Sequence, residues 1–197
     1  LEPTFDKVFD TQRIYRLMLD AIARPGKIQT LPRLDVCPPP GLTSYLAALA
    51  FTLLDGETTF ATLPANGCWH DYLALNTGAR TAGADEAEFV ILDGREHVPQ
   101  LAGLSRGSLL SPEKGATVFA LVDGVAAGGG GIRLMLTGPG VKGSVVLAVD
   151  GLHAANLADI GALNREYPLG VDTFFVDSRG NMAALPRSTS LRWEVLS

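Results

Sequence analysis

The sequence predicts an α/β domain in which helices cover a mixed sheet, and three observations carry that prediction. Short runs rich in Val, Ile, Phe, Leu and Thr recur from Thr58 onward, helical stretches precede and interrupt them, and two links between runs have the form of hairpins. The 197 residues, 47% hydrophobic and 19% charged, suffice for a single domain, residues 1–197, with a well-buried core.

The elements follow in chain order. Asp10 and Thr11 can cap a first helix in which Ile14, Leu17, Met18, Ala21 and Ile22 share one face. "ARPGK" ends it, because Pro25 disfavours helix at Arg24 and Gly26 permits a turn. The run "PRLDVCPPPG", Pro32 to Gly41, reads as a rigid linker into a second helix from Thr43 to Leu54, closed by Asp55 and Gly56. The strand candidates are then "TTFATL", "EFVILDG", "ATVFALVDG", "IRLMLTG", "SVVLAV", "TFFVD" and "MAALP". Two further helices are expected between them, from Trp69 to Asn76 and from Leu152 to Glu166, the second stopped near Pro168. Hairpins are expected at "DSRG", Asp177 to Gly180, and at the glycine-rich link after Val122, so the sheet is mixed. "AAGGGG", Ala126 to Gly131, reads as a flexible loop tip.

Composition excludes several classes of function. A net charge of −5 offers no broad positive field, so neither a nucleic acid nor an anionic membrane is an expected partner, and an anionic ligand must be held by a local pocket. Cys37 and Cys68 form no C-x-x-C pattern and have no histidines beside them, which argues against a zinc site or a disulfide framework and for a reduced, cytoplasmic protein. The apolar stretch from Gly41 to Leu54 is shorter than the ~20 residues of a membrane span.

Two catalytic letter patterns occur, and context weakens both. "GPGVKG", Gly138 to Gly143, matches G-x-G-x-x-G, yet a strand-like run follows where a dinucleotide fold needs a helix, so it reads as a strand-connecting turn. "GLSRG", Gly103 to Gly107, matches the nucleophile elbow of α/β hydrolases, with Ser105 as nucleophile and Asp123 or Asp150 and His153 downstream. The preceding "HVPQLAGL" looks like a short helix and not a strand, so a free-standing hydrolase using Ser105 is kept only as the alternative function. His70, His97 and His153 lack metal-ligand spacing and read as surface or capping residues. Lys7, Lys27, Lys114 and Lys142 lie in loop or terminal contexts, none suited to an aldimine.

Near the carboxyl end, "ALPRSTSLRW" sets Arg187 beside Ser188, Thr189 and Ser190, the donors that would hold a phosphate or phosphonate. The same residues can close a strand at a dimer or partner contact, which Pro186, lacking a backbone donor, favours. Arg24 in "ARPG" and Asp172 in "GVD" carry the same ambiguity between ligand or partner contact and turn chemistry.

Three stretches together, "YRLMLDAIARPGKI", "LTGPGV" and "YPLGVDTFFVD" with "ALPRSTS", resemble the PhnH family, the H subunit of the bacterial carbon–phosphorus lyase system. The resemblance implies a three-layer α/β/α sandwich with a mixed sheet, similar to the large domain of pyridoxal-phosphate-dependent transferases but without the cofactor. It implies a homodimer in isolation that joins the G, I and J subunits. It further implies a part in alpha-D-ribose 1-methylphosphonate 5-triphosphate synthase, which attaches a phosphonate to the ribose of ATP with loss of adenine, so a phosphonate or nucleotide is the expected ligand class. Two scattered cysteines cannot hold a radical iron–sulfur cluster, and no convergent acid, base or metal set is legible. A non-catalytic or site-completing subunit, with no catalytic residue, metal or cofactor of its own, is therefore the expectation.

Overall fold

The computed structural model describes residues 5–128 and 130–196. Helix α1, Phe9–Ala23, is opened by Asp6 and not by Asp10 or Thr11: the Asp6 carboxylate accepts from the amides of Val8 and Phe9 at 2.8 and 2.9 Å. Asp10 instead reaches back to the Asp6 amide at 3.0 Å, completing a reciprocal cap. Ile14, Met18 and Ala21 form its buried stripe, and the helix stops ahead of Pro25 as the sequence predicts. After the short β1 (Gln29–Thr30), α2 (Ser44–Leu53) is capped by the Thr43 hydroxyl, which accepts from the Leu46 amide at 3.1 Å. β2 (Thr59–Leu63) leads to α3 (Gly67–Thr77), whose cap is the Asn66 carboxamide oxygen and whose end is Gly78 at φ 77°. β3 (Arg80–Thr81) and β4 (Phe89–Asp93) precede a 3-10 turn at Pro99–Gly103, the short helix expected before Ser105.

The remaining elements are β5 (Arg106–Ser108), β6 (Ser111–Gly115), β7 (Thr117–Leu121), β8 (Gly124–Ala126), β9 (Ile132–Thr137), β10 (Val145–Asp150), α4 (Ala154–Leu163), β11 (Asp172–Val176), β12 (Asn181–Leu185) and β13 (Ser190–Val195). All seven predicted runs are strands. α4 is shorter than expected at both ends; His153 is its cap, with Nδ1 accepting from the Ala155 amide at 3.2 Å. The predicted hairpin at Asp177–Gly180 joins antiparallel β11 and β12, and "GPGVKG" joins antiparallel β9 and β10.

The strands form a seven-stranded sheet in the order β1-β12-β11-β7-β4-β2-β3 and a four-stranded sheet in the order β13-β9-β10-β8, with β5 and β6 as a separate hairpin. In the larger sheet β11, β7, β4, β2 and β3 run parallel and β12 antiparallel, which confirms the α/β class with a mixed sheet. The link after Val122 is not a hairpin. The Asp123 amide bonds to the Asp150 carbonyl at 2.9 Å, and β8 pairs with β10, so the chain leaves the larger sheet there and starts the smaller one. Of the glycine run that follows, Gly129 lies outside the described residues.

Period-two alternation divides the larger sheet's side chains between two cores. Phe60, Ile91, Phe119, Phe174, Val176 and Met182 point into one with Ile14 and Met18 of α1, Leu46 and Leu49 of α2, and Leu73 of α3. Ala61, Val90, Leu92, Val118, Ala120 and Phe175 point into the other, which also holds Leu157, Ile160 and Leu163 of α4 and Leu134, Leu136 and Leu147 of the smaller sheet. Both faces are covered, which is why these strands read as unbroken apolar runs. The second covering layer is one helix beside a sheet, where the sequence predicts helices alone. The reason is that "IRLMLTG" and "SVVLAV" pair with each other and with β13, not with the central strands.

Candidate functional site

Three turns meet, and they belong to the three stretches that stand out in the sequence. Gly140, at φ 78°, lies so close to the Ala23 carbonyl and to the Pro25 ring that a β-carbon would collide with both. Gly138, at φ 125°, lies against the backbone of Ser188 and Thr189, where a β-carbon would sit 3.2 Å from the Ser188 oxygen. The "GPG" turn is thus wedged between "ARPG" and "PRSTS".

Arg187 fixes this junction to the larger sheet. Its Nε and Nη2 donate to the same Asp172 oxygen, Oδ2, at 3.0 and 2.7 Å, and its backbone amide donates to Oδ1 at 2.8 Å. Nη1 donates to the Pro112 carbonyl at 2.6 Å and Nη2 to that of Gly115 at 3.3 Å. Four of the five N–H groups of the guanidinium are thereby used within the fold. Glycines make the space: a β-carbon on Gly115 would meet the Arg187 guanidinium and the Gly170 carbonyl, and one on Gly170, at φ 144°, would lie 3.1 Å from the Arg187 β-carbon. One side chain therefore ties the start of β11, the β5–β6 hairpin and the turn from β12 to β13 together.

Arg187 lines the wall of a cleft of about 570 Å³ between α4 and β13. Ser188, Thr189 and Ser190 continue that wall, Leu191 and Trp193 extend it, and Ala158, Gly161, Arg165 and Tyr167 stand opposite. The Ser188 and Ser190 hydroxyls and the exposed Arg165 can offer hydrogen bonds and one positive charge to a small anion, whereas the Thr189 hydroxyl is buried and the Arg187 guanidinium is largely committed to Asp172.

Of the three residues singled out in the sequence, Asp172 and Arg187 are brought together and Arg24 is not. Arg24 pairs with Asp20 one turn back on α1, and the same carboxylate holds Lys27 Nζ at 2.7 Å and the Gln29 carboxamide. Ser105 lies elsewhere, between the 3-10 turn and β5. Its hydroxyl donates to the Lys114 carbonyl at 3.0 Å and accepts from the Gly107 amide at 3.4 Å, so it braces a hairpin and does not top a strand-to-helix elbow. The cleft that it borders carries Glu57, Glu86, Glu88 and Glu113 and no histidine. His153 caps α4 and stacks on His97 with centroids 5.3 Å apart. These placements remove the support for the hydrolase alternative.

Sequence reasoning missed Gly115, Gly170 and Pro112, the residues that shape the seat of Arg187. Gly170 carried a signal, since it directly precedes the "VD" that opens β11; Pro112 and Gly115 lie in a polar hairpin that leaves no hydrophobic pattern.

Residues 3–192 match the family described as "Bacterial phosphonate metabolism protein (PhnH)". A protein of Rhizobium meliloti (strain 1021), named alpha-D-ribose 1-methylphosphonate 5-triphosphate synthase subunit PhnH, is 34% identical over 193 residues, covering 96% of this chain and 94% of its own length. A protein of Stutzerimonas stutzeri, named putative C-P lyase subunit protein HtxG, is 35% identical over 183 residues, covering 91% of this chain and 85% of its own.

Proposed function

Because this chain belongs to the PhnH family, we propose that it works as a subunit of the carbon–phosphorus lyase machinery in phosphonate catabolism, supporting synthesis of alpha-D-ribose 1-methylphosphonate 5-triphosphate. The observation that carries this is a match over nearly the whole chain to one protein named as a subunit of that synthase and to another named as a putative C-P lyase subunit.

Its contribution on this reading is to complete or hold an assembly, not to supply the reacting groups. The commitment of Arg187 to Asp172 and to two backbone carbonyls supports a structural use of that arginine. The residues Arg24, Asp172 and Arg187 then act by keeping the three-turn junction in shape for a contact with a partner or a bound phosphonate or nucleotide. The partners proposed are a second copy of the chain and the G, I and J subunits, in the cytoplasm; a likeness to the transferase large domain belongs to the same reading.

Phosphorus NMR tests it. The isolated protein with ATP and methylphosphonate should form no ribose phosphonate triphosphate, while a mixture with its partner subunits should, and the chain should co-purify with G, I and J. Steady product from the isolated chain would show it to be an enzyme in its own right and overturn the proposal.

A further inference from the structure

Of the four edges of the two larger sheets, β1 and β3 have two residues each and β8 has three, whereas β13 has six, Ser190–Val195. Short edges are blunt, but a six-residue edge presents a row of backbone donors and acceptors to another strand. Its apolar side chains are also open: Trp193 is 40% and Val195 59% exposed. Both register with β9 residues of the inner core, Leu134 and Ile132, so they face the α4 side, over the cleft.

The order of residues along this edge says what would fit it. Arg192, Trp193 and Glu194 read as positive, aromatic, negative, which is complementary to itself in reverse. We infer that β13 pairs antiparallel with β13 of a second copy about a twofold axis at Trp193, making one continuous eight-stranded sheet. Trp193 then lies opposite its counterpart, Arg192 opposite the second copy's Glu194, Glu194 opposite its Arg192, and Leu191 opposite its Val195. The charged pairs fall on one face and the apolar pairs on the other. A shift by one residue sets Arg192 against Trp193 and loses both charge pairs, so the register is specified. The apolar pairs would extend across the mouth of the cleft between Trp193 and the small residues Ala158 and Gly161 of α4. This inference rests on the proposed self-association and assigns its surface.

Charge reversal tests it. Sedimentation velocity should find the wild type dimeric. Arg192→Glu and Glu194→Arg should each raise the dimer dissociation constant by at least about tenfold, since two favourable cross-strand pairs become two repulsive ones. An equimolar mixture of the two variants should recover wild-type association, because each then offers what the other lacks. Recovery also controls for the in-chain contact of Glu194 with Arg133 at 3.1 Å, which Glu194→Arg removes, and shows that both variants are folded. Circular dichroism of each variant alone should match the wild type. A dimer that survives both reversals, or a mixture no tighter than its components, overturns β13 as the surface and leaves self-association standing. A monomeric wild type overturns both.

Discussion

Replacing Arg187 by alanine removes four side-chain hydrogen bonds, two to Asp172 at 2.7 and 3.0 Å and one each to the Pro112 and Gly115 carbonyls. It also leaves the Asp172 carboxylate, whose side chain is 24% exposed, without its cation, holding only the backbone amide of residue 187 at Oδ1. Breaking a fully buried ion pair costs about 3–5 kcal/mol, and a hydrogen bond to a charged group is worth about 1.5–3 kcal/mol. Partial access of water to Asp172 lowers the first figure, which leaves about 2–4 kcal/mol for Arg187→Ala. For a chain of this size that is a fall in Tm of about 4–16 °C. Thermal and urea melts measure it. Arg187→Lys should recover less than half, because an ammonium cannot reach Asp172 and both carbonyls from one plane. A cycle with Asp172→Asn should give a coupling of about 1–3 kcal/mol. A melt of Arg187→Ala within about 1 °C of wild type, or a coupling near zero, would refute the clamp. Normal stability and assembly combined with a complex unable to use phosphonate would instead assign Arg187 to an anion.

Gly140→Ala should destabilise by about 2–4 kcal/mol in a urea melt, since its β-carbon collides with the Ala23 carbonyl and its φ of 78° suits glycine alone; Gly143→Ala, at φ 75° but with open space around it, should cost only about 1 kcal/mol. Ser105→Ala should leave activity of the assembled complex unchanged and cost about 1 kcal/mol, and labelling of Ser105 by a serine-directed phosphonate would contradict this. Asp177 is buried, and burial alone would raise its pKa, but bonds from the Asn181 side chain and from the amides of Asn181, Arg179 and Val125 bring it below the ordinary value of 3.8. A lowered folded pKa means that the stability Asp177 supplies is present above about pH 3.8 and lost as pH falls through the lower folded value. Asp177→Asn should therefore destabilise at pH 7 and flatten the acid limb of the stability profile below that pH, read by urea melts at stepped pH.

What the sequence disclosed follows burial. β2, β4, β7, β11 and β12 are covered on both faces, so each announces itself as an apolar run whatever its neighbours are. β5 and β6 are polar, and β13 alternates charged and apolar residues at an open edge, so neither leaves such a run. Division of the strands between two sheets is invisible for a different reason. It is decided by pairings such as Val149 with Ile132 and Val125, which depend on which strand reaches which partner and not on any residue's own preference.

The candidate site obeys the same rule. Asp172 and Arg187 each stand out locally, one beside a glycine at a strand start and the other in a run of hydroxyls, but their bond spans fifteen positions and becomes visible only when β11 and β12 pair. Pro112 and Gly115, more than seventy positions from Arg187, contribute carbonyl oxygens, and a carbonyl has no signature in a sequence. A guanidinium beside three hydroxyls looks like an anion site because the groups that occupy it, the Asp172 carboxylate and two backbone carbonyls, come from elsewhere in the chain. The cleft keeps the Ser188 and Ser190 hydroxyls and Arg165 at its wall, so those are the groups free to hold an anion there, while Arg187, on the same wall, is spent on Asp172 and two carbonyls.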